Sequence, residues 1–138
     1  MGTSTAGIAH AAIAAHILGL PMGYVRGAAK DHGRGNRIEG RLLPGQKTVV
    51  IEDLISTGGS VLDTVEALRQ EGAEVLGIVS IFTYQFEEAE RRMSETGVKN
   101  ISLCDLDALM QAAELKGYIT AEQRKMVEAF RADPKDWR

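Results

Sequence analysis

The sequence predicts an α/β fold in which helices connect the strands of a parallel sheet. Segments rich in β-branched residues alternate with segments of helical periodicity along most of the chain. The run Val49-Val50-Ile51 is apolar without a break, which is typical of a strand in a parallel sheet whose two faces are covered. Right-handed crossovers place the carboxyl ends of such strands at one edge, where ligands bind in folds of this kind.

The N-terminal part of the chain is predicted to contain one helix and one short strand. Ala9, Ala12, Ile13 and Ile17 recur at helical spacing within residues 6–18, and the small residues permit close packing on a sheet. Residues 22–25 are predicted as a strand. Residues 27–40 contain several glycines and lack apolar periodicity, which predicts an irregular loop.

The rest of the chain continues the alternation of strands and helices. Val61 and Leu68 share one face of a predicted helix, which indicates packing on the sheet. Asp105 can cap a later helix, and Thr120 with Gln123 forms a capping-box pattern. The predicted elements are strands at residues 47–53, 74–84 and 98–103, a helix at residues 59–71, and helices that begin near residues 87, 106 and 121.

The most informative motif follows the strand at residues 47–53. Two carboxylates, Glu52 and Asp53, precede a loop of hydroxyl and glycine residues that leads into a helix. Glycines let a backbone approach its ligand closely, so the N–H groups of the loop and the helix N-terminus suit a phosphate. The carboxylates suit sugar hydroxyls, or a metal ion carried by a second phosphate group. The candidate binding residues are Glu52, Asp53, Leu54, Ile55, Ser56, Thr57, Gly58, Gly59 and Ser60.

The loop after this strand can be compared with a plain turn and with two other kinds of phosphate-binding loop. A plain turn with a helix cap at Ser56 or Ser60 is one alternative. The Walker phosphate loop requires a lysine, and none lies between Lys47 and Lys99. The G-x-G-x-x-G pattern of dinucleotide-binding loops does not occur in this loop. The motif therefore favours a phosphorylated sugar over a nucleoside triphosphate or a dinucleotide.

Length, composition and charge exclude several classes of protein. The 138 residues, of which 44% are hydrophobic, predict a single domain over residues 1–138. A net charge of −3 does not indicate a nucleic-acid or membrane surface. The single cysteine, Cys104, excludes an internal disulfide framework and fits a reducing cytoplasm. No apolar run reaches the ~18 residues that span a bilayer, and no secretion signal is visible.

Three segments resemble the type I phosphoribosyltransferase family, in particular its orotate-using members. Residues 52–60 are similar to the ribose-5-phosphate loop, residues 2–8 to the pyrophosphate loop, and residues 24–40 to the catalytic loop of the orotate enzymes. The order and spacing of the segments agree, and residues 77–84 continue the likeness. The resemblance implies a Rossmann-like, parallel-sheet phosphoribosyltransferase core. In the family, a core strand leads into the pyrophosphate loop, and a longer N-terminal segment forms part of the hood over the base. Both would lie before residue 2, so we expect a chain truncated at its N-terminus, in which this strand and the hood are missing.

The resemblance also implies a reaction and a set of partners. Ribose 5-phosphate would pass from phosphoribosyl pyrophosphate to orotate, which yields orotidine 5′-monophosphate and pyrophosphate in the synthesis of UMP. Glu52 and Asp53 would contact the ribose 2′- and 3′-hydroxyls. Magnesium would be held mainly by substrate oxygens, with Asp53 as a contact through water. A cytoplasmic homodimer is implied, in which the catalytic loop reaches the neighbouring subunit's site.

The residues that the resemblance assigns to catalysis lie in two loops. Lys30, His32 and Arg26 would stabilise the negative charge that leaves on pyrophosphate. Asp31 would help to position the pyrophosphate, and Arg37 would only raise the local positive charge. The residues that would shape the pyrophosphate loop are Thr3, Ser4 and Thr5.

Three other functions stay open. The first is an inactive fragment of such an enzyme. The second is a phosphoribosyltransferase that uses a purine base. The third is a non-catalytic protein that binds phosphoribosyl pyrophosphate and regulates a partner. Lys30 and His32 argue against the purine enzyme, because the loop around them separates the orotate enzymes from their purine-using relatives. They also argue against the regulator, because such proteins often lose the cations of this loop.

Overall fold

The computed structural model describes residues 1–27 and 37–134 and shows a six-stranded sheet with five helices. The strands are β1 (Gly2–Thr3), β2 (Tyr24–Val25), β3 (Ile38–Glu39), β4 (Lys47–Ile55), β5 (Glu74–Thr83) and β6 (Asn100–Asp105). The helices are α1 (Gly7–Leu18), α2 (Gly59–Gln70), α3 (Glu87–Thr96), α4 (Leu106–Leu115) and α5 (Ala121–Ala132). The strand order is β3-β2-β1-β4-β5-β6, and every neighbouring pair is parallel except β2 with β3. The predicted α/β fold with a parallel sheet is confirmed.

The first two residues of the predicted pyrophosphate loop form a short strand that the sequence did not predict. β1 has two residues, and Gly2 pairs with Tyr24 on one side and with Ile51 on the other. The Ile51 N–H donates to the Met1 carbonyl oxygen at 2.8 Å. Residues 2–3 were predicted as part of a loop and form a strand instead, because two neighbouring strands supply the hydrogen bonds that make so short a segment a strand. Its Gly-Thr sequence carries no strand pattern of its own.

The predicted loop over residues 27–40 also needs a correction. Its last part forms β3, which pairs antiparallel with β2 through Tyr24 with Glu39 and Val25 with Ile38. β4 likewise runs past its predicted end, because Ile55 still pairs with Thr83 of β5. Both differences arise from pairing with a strand that is distant in sequence, which local periodicity does not report.

The main hydrophobic core lies between the sheet and helices α2 and α3. Val50, Ile78, Val65 and Leu68 are each at most 1% exposed, and burial of a side chain of this size contributes roughly 1.5–3 kcal/mol. The predicted apolar face of α2 is confirmed by its buried residues. The later helix starts are confirmed as well: Asp105 accepts a hydrogen bond from the Ala108 N–H, and Thr120 with Gln123 forms the capping box.

Helix α1 packs on the opposite face of the sheet in an orientation that the sequence did not predict. Its buried residues are Gly7 and Ala11, whereas Ile13 and Ile17 are 60% and 75% exposed. The face that the sequence indicated, with Ala9, Ala12, Ile13 and Ile17, is exposed and that prediction was wrong, whereas the expected close packing through small residues is confirmed. A Cβ at Gly7 would lie 2.5 Å from the Ile51 carbonyl oxygen, so the backbones of α1 and β4 are in direct contact there. The small side chains, rather than the large ones, decide which face of α1 is buried.

Several large apolar side chains on strands β5 and β6 are exposed. Leu76, Ile101 and Leu103 of β5 and β6 are more than half exposed. Within residues 1–27 and 37–134, no helix combines the length and the apolar character needed to cross a bilayer. Leu76, Ile101 and Leu103 lie on a part of the sheet that the described helices leave exposed.

Replacement of Gly7 by alanine should destabilise the fold, because the added methyl group would force α1 away from β4. Overpacking of this kind costs typically about 1–3 kcal/mol. The measurement is the free energy of unfolding in urea. Gly27→Ala is the matched control, since a Cβ at that position would have its nearest neighbour, the Ser4 hydroxyl, 3.8 Å away. Equal losses in the two variants would contradict the close packing of α1.

Candidate functional site

Three of the predicted segments begin at one edge of the sheet. The parallel strands β1, β2 and β4 are neighbours, so their carboxyl ends lie side by side. The Ser4 N–H donates to the Val25 carbonyl oxygen at 3.2 Å, which joins the ends of β1 and β2. The fold therefore brings together residues 3–5, Arg26 and residues 52–60. This is the edge where ligands bind in α/β folds.

The loop that follows β4 presents unpartnered backbone N–H groups. No amide N–H of residues 56–60 donates to another described residue. Gly58, the N-cap residue of α2, has the left-handed conformation at φ 77°, and no side chain caps this helix. The alternative of a plain turn capped by Ser56 or Ser60 is therefore not what the structure shows. Free N–H groups and the positive end of the helix dipole together make a cradle for an anion.

Glu52 and Asp53 leave β4 towards opposite faces of the sheet, as adjacent strand residues do. Glu52 is only 6% exposed, and its Oε1 accepts a hydrogen bond from the Asp53 N–H at 3.0 Å. Burial, helped by the nearby Asp53 side chain, raises the pKa of Glu52 to about 7. Asp53 is partly exposed. Asp53 is thus the more accessible of the two carboxyl groups to a ligand at this edge.

The predicted pyrophosphate loop lies directly beside this pair. Thr3 is 2% exposed, and among the described residues its hydroxyl faces the Glu52 carboxyl without a hydrogen bond of good geometry. Ser4 is partly exposed, Thr5 is exposed, and the peptide bond between them is cis. Helix α1 starts at Gly7 with no side-chain cap. A second helix N-terminus therefore points at the same edge as α2.

The residues predicted to act in catalysis are described only in part. Lys30, Asp31 and His32 lie outside the described residues. Arg26 stands at the end of β2, where its Nε lies 3.2 Å from a carboxylate oxygen of Glu39 and its side chain is about half exposed. Its contact with pyrophosphate remains a prediction, and a ligand there would compete with Glu39 for the guanidinium.

Arg37 has a role that the sequence analysis missed. Its Nη2 donates to the Arg26 carbonyl oxygen at 3.2 Å, and its guanidinium also donates to both carboxylate oxygens of Asp63 in α2. The hydrogen bond with Asp63 raises the pKa of Arg37. Arg37 therefore fastens β2 and β3 to the helix that starts at the phosphate cradle. No sequence signal could identify it, because the pair exists only once the hairpin lies beside α2.

The raised pKa of Glu52 predicts a pH dependence of stability. The folded protein binds the proton of Glu52 more tightly than the unfolded chain does, so this group stabilises the fold below about pH 4.5 and loses its contribution as the pH rises to about 7. One pKa unit corresponds to about 1.4 kcal/mol, and solvent at the sheet edge screens part of this effect, so we expect a decline of roughly 1–2 kcal/mol between pH 5 and pH 8. Urea unfolding of Glu52→Gln should lack this decline. The same slope in both proteins would rule out Glu52 as its source.

The pairing of Arg37 with Asp63 predicts a measurable coupling between β3 and α2. A double-mutant cycle with Arg37→Ala and Asp63→Ala should give a coupling of about 0.5–1 kcal/mol, near the upper end for partly exposed pairs. Arg91 and Glu95, both 60% exposed, form the control pair, for which we expect a smaller coupling. The measurement is the free energy of unfolding. A coupling energy between Arg37 and Asp63 no larger than that of the control pair would contradict the attachment of β3 to α2 through this ion pair.

Comparison with known proteins agrees with this geometry. The sequence model of the family described as phosphoribosyl transferase domain matches residues 1–115. The chain is 51% identical over 136 residues to a protein of Streptococcus thermophilus named orotate phosphoribosyltransferase, and the match covers 99% of this chain and 65% of that protein.

Solved structures of related proteins show the same fold. The structure of orotate phosphoribosyltransferase from Aeropyrum pernix superposes with a TM-score of 0.74 at 31% identity, over 86% of this chain and 64% of that one. The Mycobacterium tuberculosis orotate phosphoribosyltransferase in complex with phosphoribosyl pyrophosphate superposes with a TM-score of 0.54 at 31% identity, over 65% of this chain and 50% of that one.

The chain thus spans about two thirds of the Streptococcus thermophilus relative, 65% of its length. The family match covers most of the chain, including both loops at the site. The chain belongs to the family of phosphoribosyl transferase domains.

Proposed function

We propose that the chain binds phosphoribosyl pyrophosphate and acts as an orotate phosphoribosyltransferase, which forms orotidine 5′-monophosphate and pyrophosphate in pyrimidine synthesis. The observation that carries the proposal is the cradle of free N–H groups at residues 56–60, beside Asp53 and the loop after β1. Relatives that are 51% and 52% identical to this chain over 136 residues bear the name of that enzyme. Since the chain spans 65% of such a relative, the activity of the chain itself has to be measured.

The 5′-phosphate of the ribose would bind in the cradle. The N–H groups of residues 56–60 supply donors, and Ser56, Thr57 and Ser60 add hydroxyl groups. The N-terminus of α2 adds a favourable dipole without a side-chain cap that would compete with the phosphate. A phosphate dianion would therefore be bound mainly by the backbone.

The ribose hydroxyls would bind at the end of β4. Asp53 is the accessible carboxyl group and would accept hydrogen bonds from the 2′- and 3′-hydroxyls. The buried Glu52 accepts the Asp53 N–H, which holds the backbone of Asp53 in place. Direct contact of Glu52 with the ribose would need a ligand that reaches below the surface of this edge, because only 6% of the residue is exposed.

The leaving pyrophosphate would lie between the loop after β1 and the segment that contains Lys30 and His32. Cations placed around the departing oxygens stabilise the charge that develops as the glycosidic bond breaks. Arg26 and the N-terminus of α1 are the described groups that could contribute on this side. Removal of one such contact typically lowers the rate by about 10²–10³.

Magnesium fits the residues at this edge as a substrate-borne ion. In the described part of the chain, no group of three or more acidic, histidine or cysteine side chains could enclose a metal ion. One or two carboxylates together with substrate phosphates are the usual surroundings of Mg²⁺, and Asp53 would hold it through water. When bound, the ion would neutralise charge on the pyrophosphate.

A cytoplasmic homodimer completes the proposal. The segment that carries Lys30 begins and ends on β2 and β3, and β3 is the edge strand of the sheet. A neighbouring subunit can approach an edge strand, which supports a shared site. The free thiol of Cys104 is compatible with a reducing compartment.

Pyrophosphate release with orotate, adenine or guanine as the acceptor tests the reaction. In the presence of phosphoribosyl pyrophosphate and Mg²⁺ we expect turnover with orotate alone. Turnover only with a purine would support the purine enzyme instead and reject the proposal. Tight binding of phosphoribosyl pyrophosphate with no turnover for any base would support the inactive fragment or the regulator.

Asp53→Asn should weaken the binding of phosphoribosyl pyrophosphate about tenfold or more, because hydrogen bonds to a charged group are stronger than neutral ones. Isothermal titration calorimetry measures the effect. Glu71→Gln, at the exposed far end of α2, is the control and should bind like the unmodified protein. Unchanged affinity in Asp53→Asn would argue against the ribose contact.

A further inference from the structure

We propose that Arg92 is a positioning residue for the phosphate cradle, which acts by holding the peptide group between Thr57 and Gly58 in its binding orientation. The inference rests on the proposed function, because it concerns how the same loop binds phosphate. Nothing in the sequence distinguishes Arg92 from the other charged residues of α3. Its position in the fold distinguishes it from its neighbour Arg91.

Arg92 lies behind the cradle, on the side away from the sheet edge. Its Nη1 donates to the Thr57 carbonyl oxygen at 3.3 Å. The same nitrogen lies 3.5 Å from the place that a Cβ on Gly59 would occupy, so the guanidinium packs against the backbone of the loop. By contrast, Arg91 is exposed and pairs with Glu95 within α3.

The packing of α3 determines where Arg92 lies. Ala89 and Met93 are buried against the core, at 1% and 5% exposure. Both contact the loop, because a Cβ on Gly58 would lie 3.7 Å from the Ala89 Cβ and 3.6 Å from the Met93 Cε. The turn of α3 that carries Arg92 is therefore held next to Thr57.

Because the peptide group is planar, the hydrogen bond to the Thr57 carbonyl oxygen also fixes the direction of the Gly58 N–H. In a trans peptide the C=O and the following N–H point in opposite directions, and within the described residues only the Ser4–Thr5 bond is cis. A Thr57 carbonyl turned towards Arg92 therefore turns the Gly58 N–H into the cradle. Glycine adopts positive and negative φ about equally readily, so an unanchored peptide at this place could rotate and present its carbonyl oxygen to the phosphate.

The guanidinium also suits this task because it stays charged. Arginine does not lose its proton in proteins, and its planar set of donors holds an acceptor in a fixed direction. Hydrogen bonds to a charged donor are stronger than those between neutral groups. Acidic residues of α2 and α3, Asp63, Glu66 and Glu95, line the same cavity behind the loop. Arg69 lines this cavity as well, so charges of both signs surround Arg92, and the test has to separate its hydrogen bond from long-range charge effects.

The test is a titration of the ¹⁵N-labelled chain with ribose 5-phosphate, followed by amide NMR. In the unmodified protein we expect the amides of residues 56–60 to shift on binding. Arg92→Met should weaken the affinity about tenfold and shift the Gly58 amide already in the free protein. Arg92→Lys, which keeps a charged donor, should stay within about threefold, and Arg91→Met is the matched control with unchanged affinity. The loss in Arg92→Met should persist in 0.5 M NaCl, where long-range charge effects are screened.

Each outcome bears on one of the two proposals. If the unmodified protein binds at residues 56–60 but Arg92→Met binds like Arg91→Met, or differs from it only at low salt, the positioning role is overturned and the proposed function stands. If ribose 5-phosphate shifts no amide of residues 56–60 in the unmodified protein, the proposed function fails instead. Should Arg92→Met not fold, the shorter, uncharged Arg92→Gln replaces it: affinity at least threefold weaker supports the role, and unchanged affinity overturns it.

Discussion

The parallel pairing of β1 with β4 is the contact on which the rest of the site depends. β1 has two residues, yet it lies in the middle of the sheet and is bonded on both sides. It brings the loop after Thr3 next to the end of β4, where Glu52 and Asp53 stand. The close approach of Gly7 to the Ile51 carbonyl fixes the start of α1 at the same place. Two helix N-termini and two loops are thereby gathered at one edge.

The acidic pair at this edge combines two different environments. Glu52 is buried beside Thr3, and burial raises its pKa to about 7, whereas Asp53 is partly exposed. Adjacent strand residues differ in this way because their side chains alternate between the faces of the sheet. The inner carboxyl group organises the backbone of the loop, and the outer one is left free for a ligand. The pair therefore limits the negative charge that the site presents to a substrate rich in phosphate.

The phosphate cradle is supported from behind by elements that are distant in sequence. Arg92 from α3 contacts the Thr57 carbonyl, and Arg37 joins β2 and β3 to Asp63 of α2. Local signals located the cradle itself, since the sequence of residues 52–60 contains both the acids and the glycines. They could not locate its supports, because the charged residues of α3 and of the hairpin look like a solvated surface until the elements pack together.

The sequence by itself determined the alternation of strands and helices, the helix caps at Asp105 and Thr120, and the candidate phosphate loop, because all of these depend on neighbouring residues. Only the tertiary structure decided that β1 is a strand, that α1 buries Gly7 and Ala11 while exposing Ile13 and Ile17, and that Glu52 is buried. The physical reason is the same in each case. Backbone pairing, close helix–sheet contact and desolvation of a carboxyl group are set by residues far away along the chain, which meet only in the folded protein.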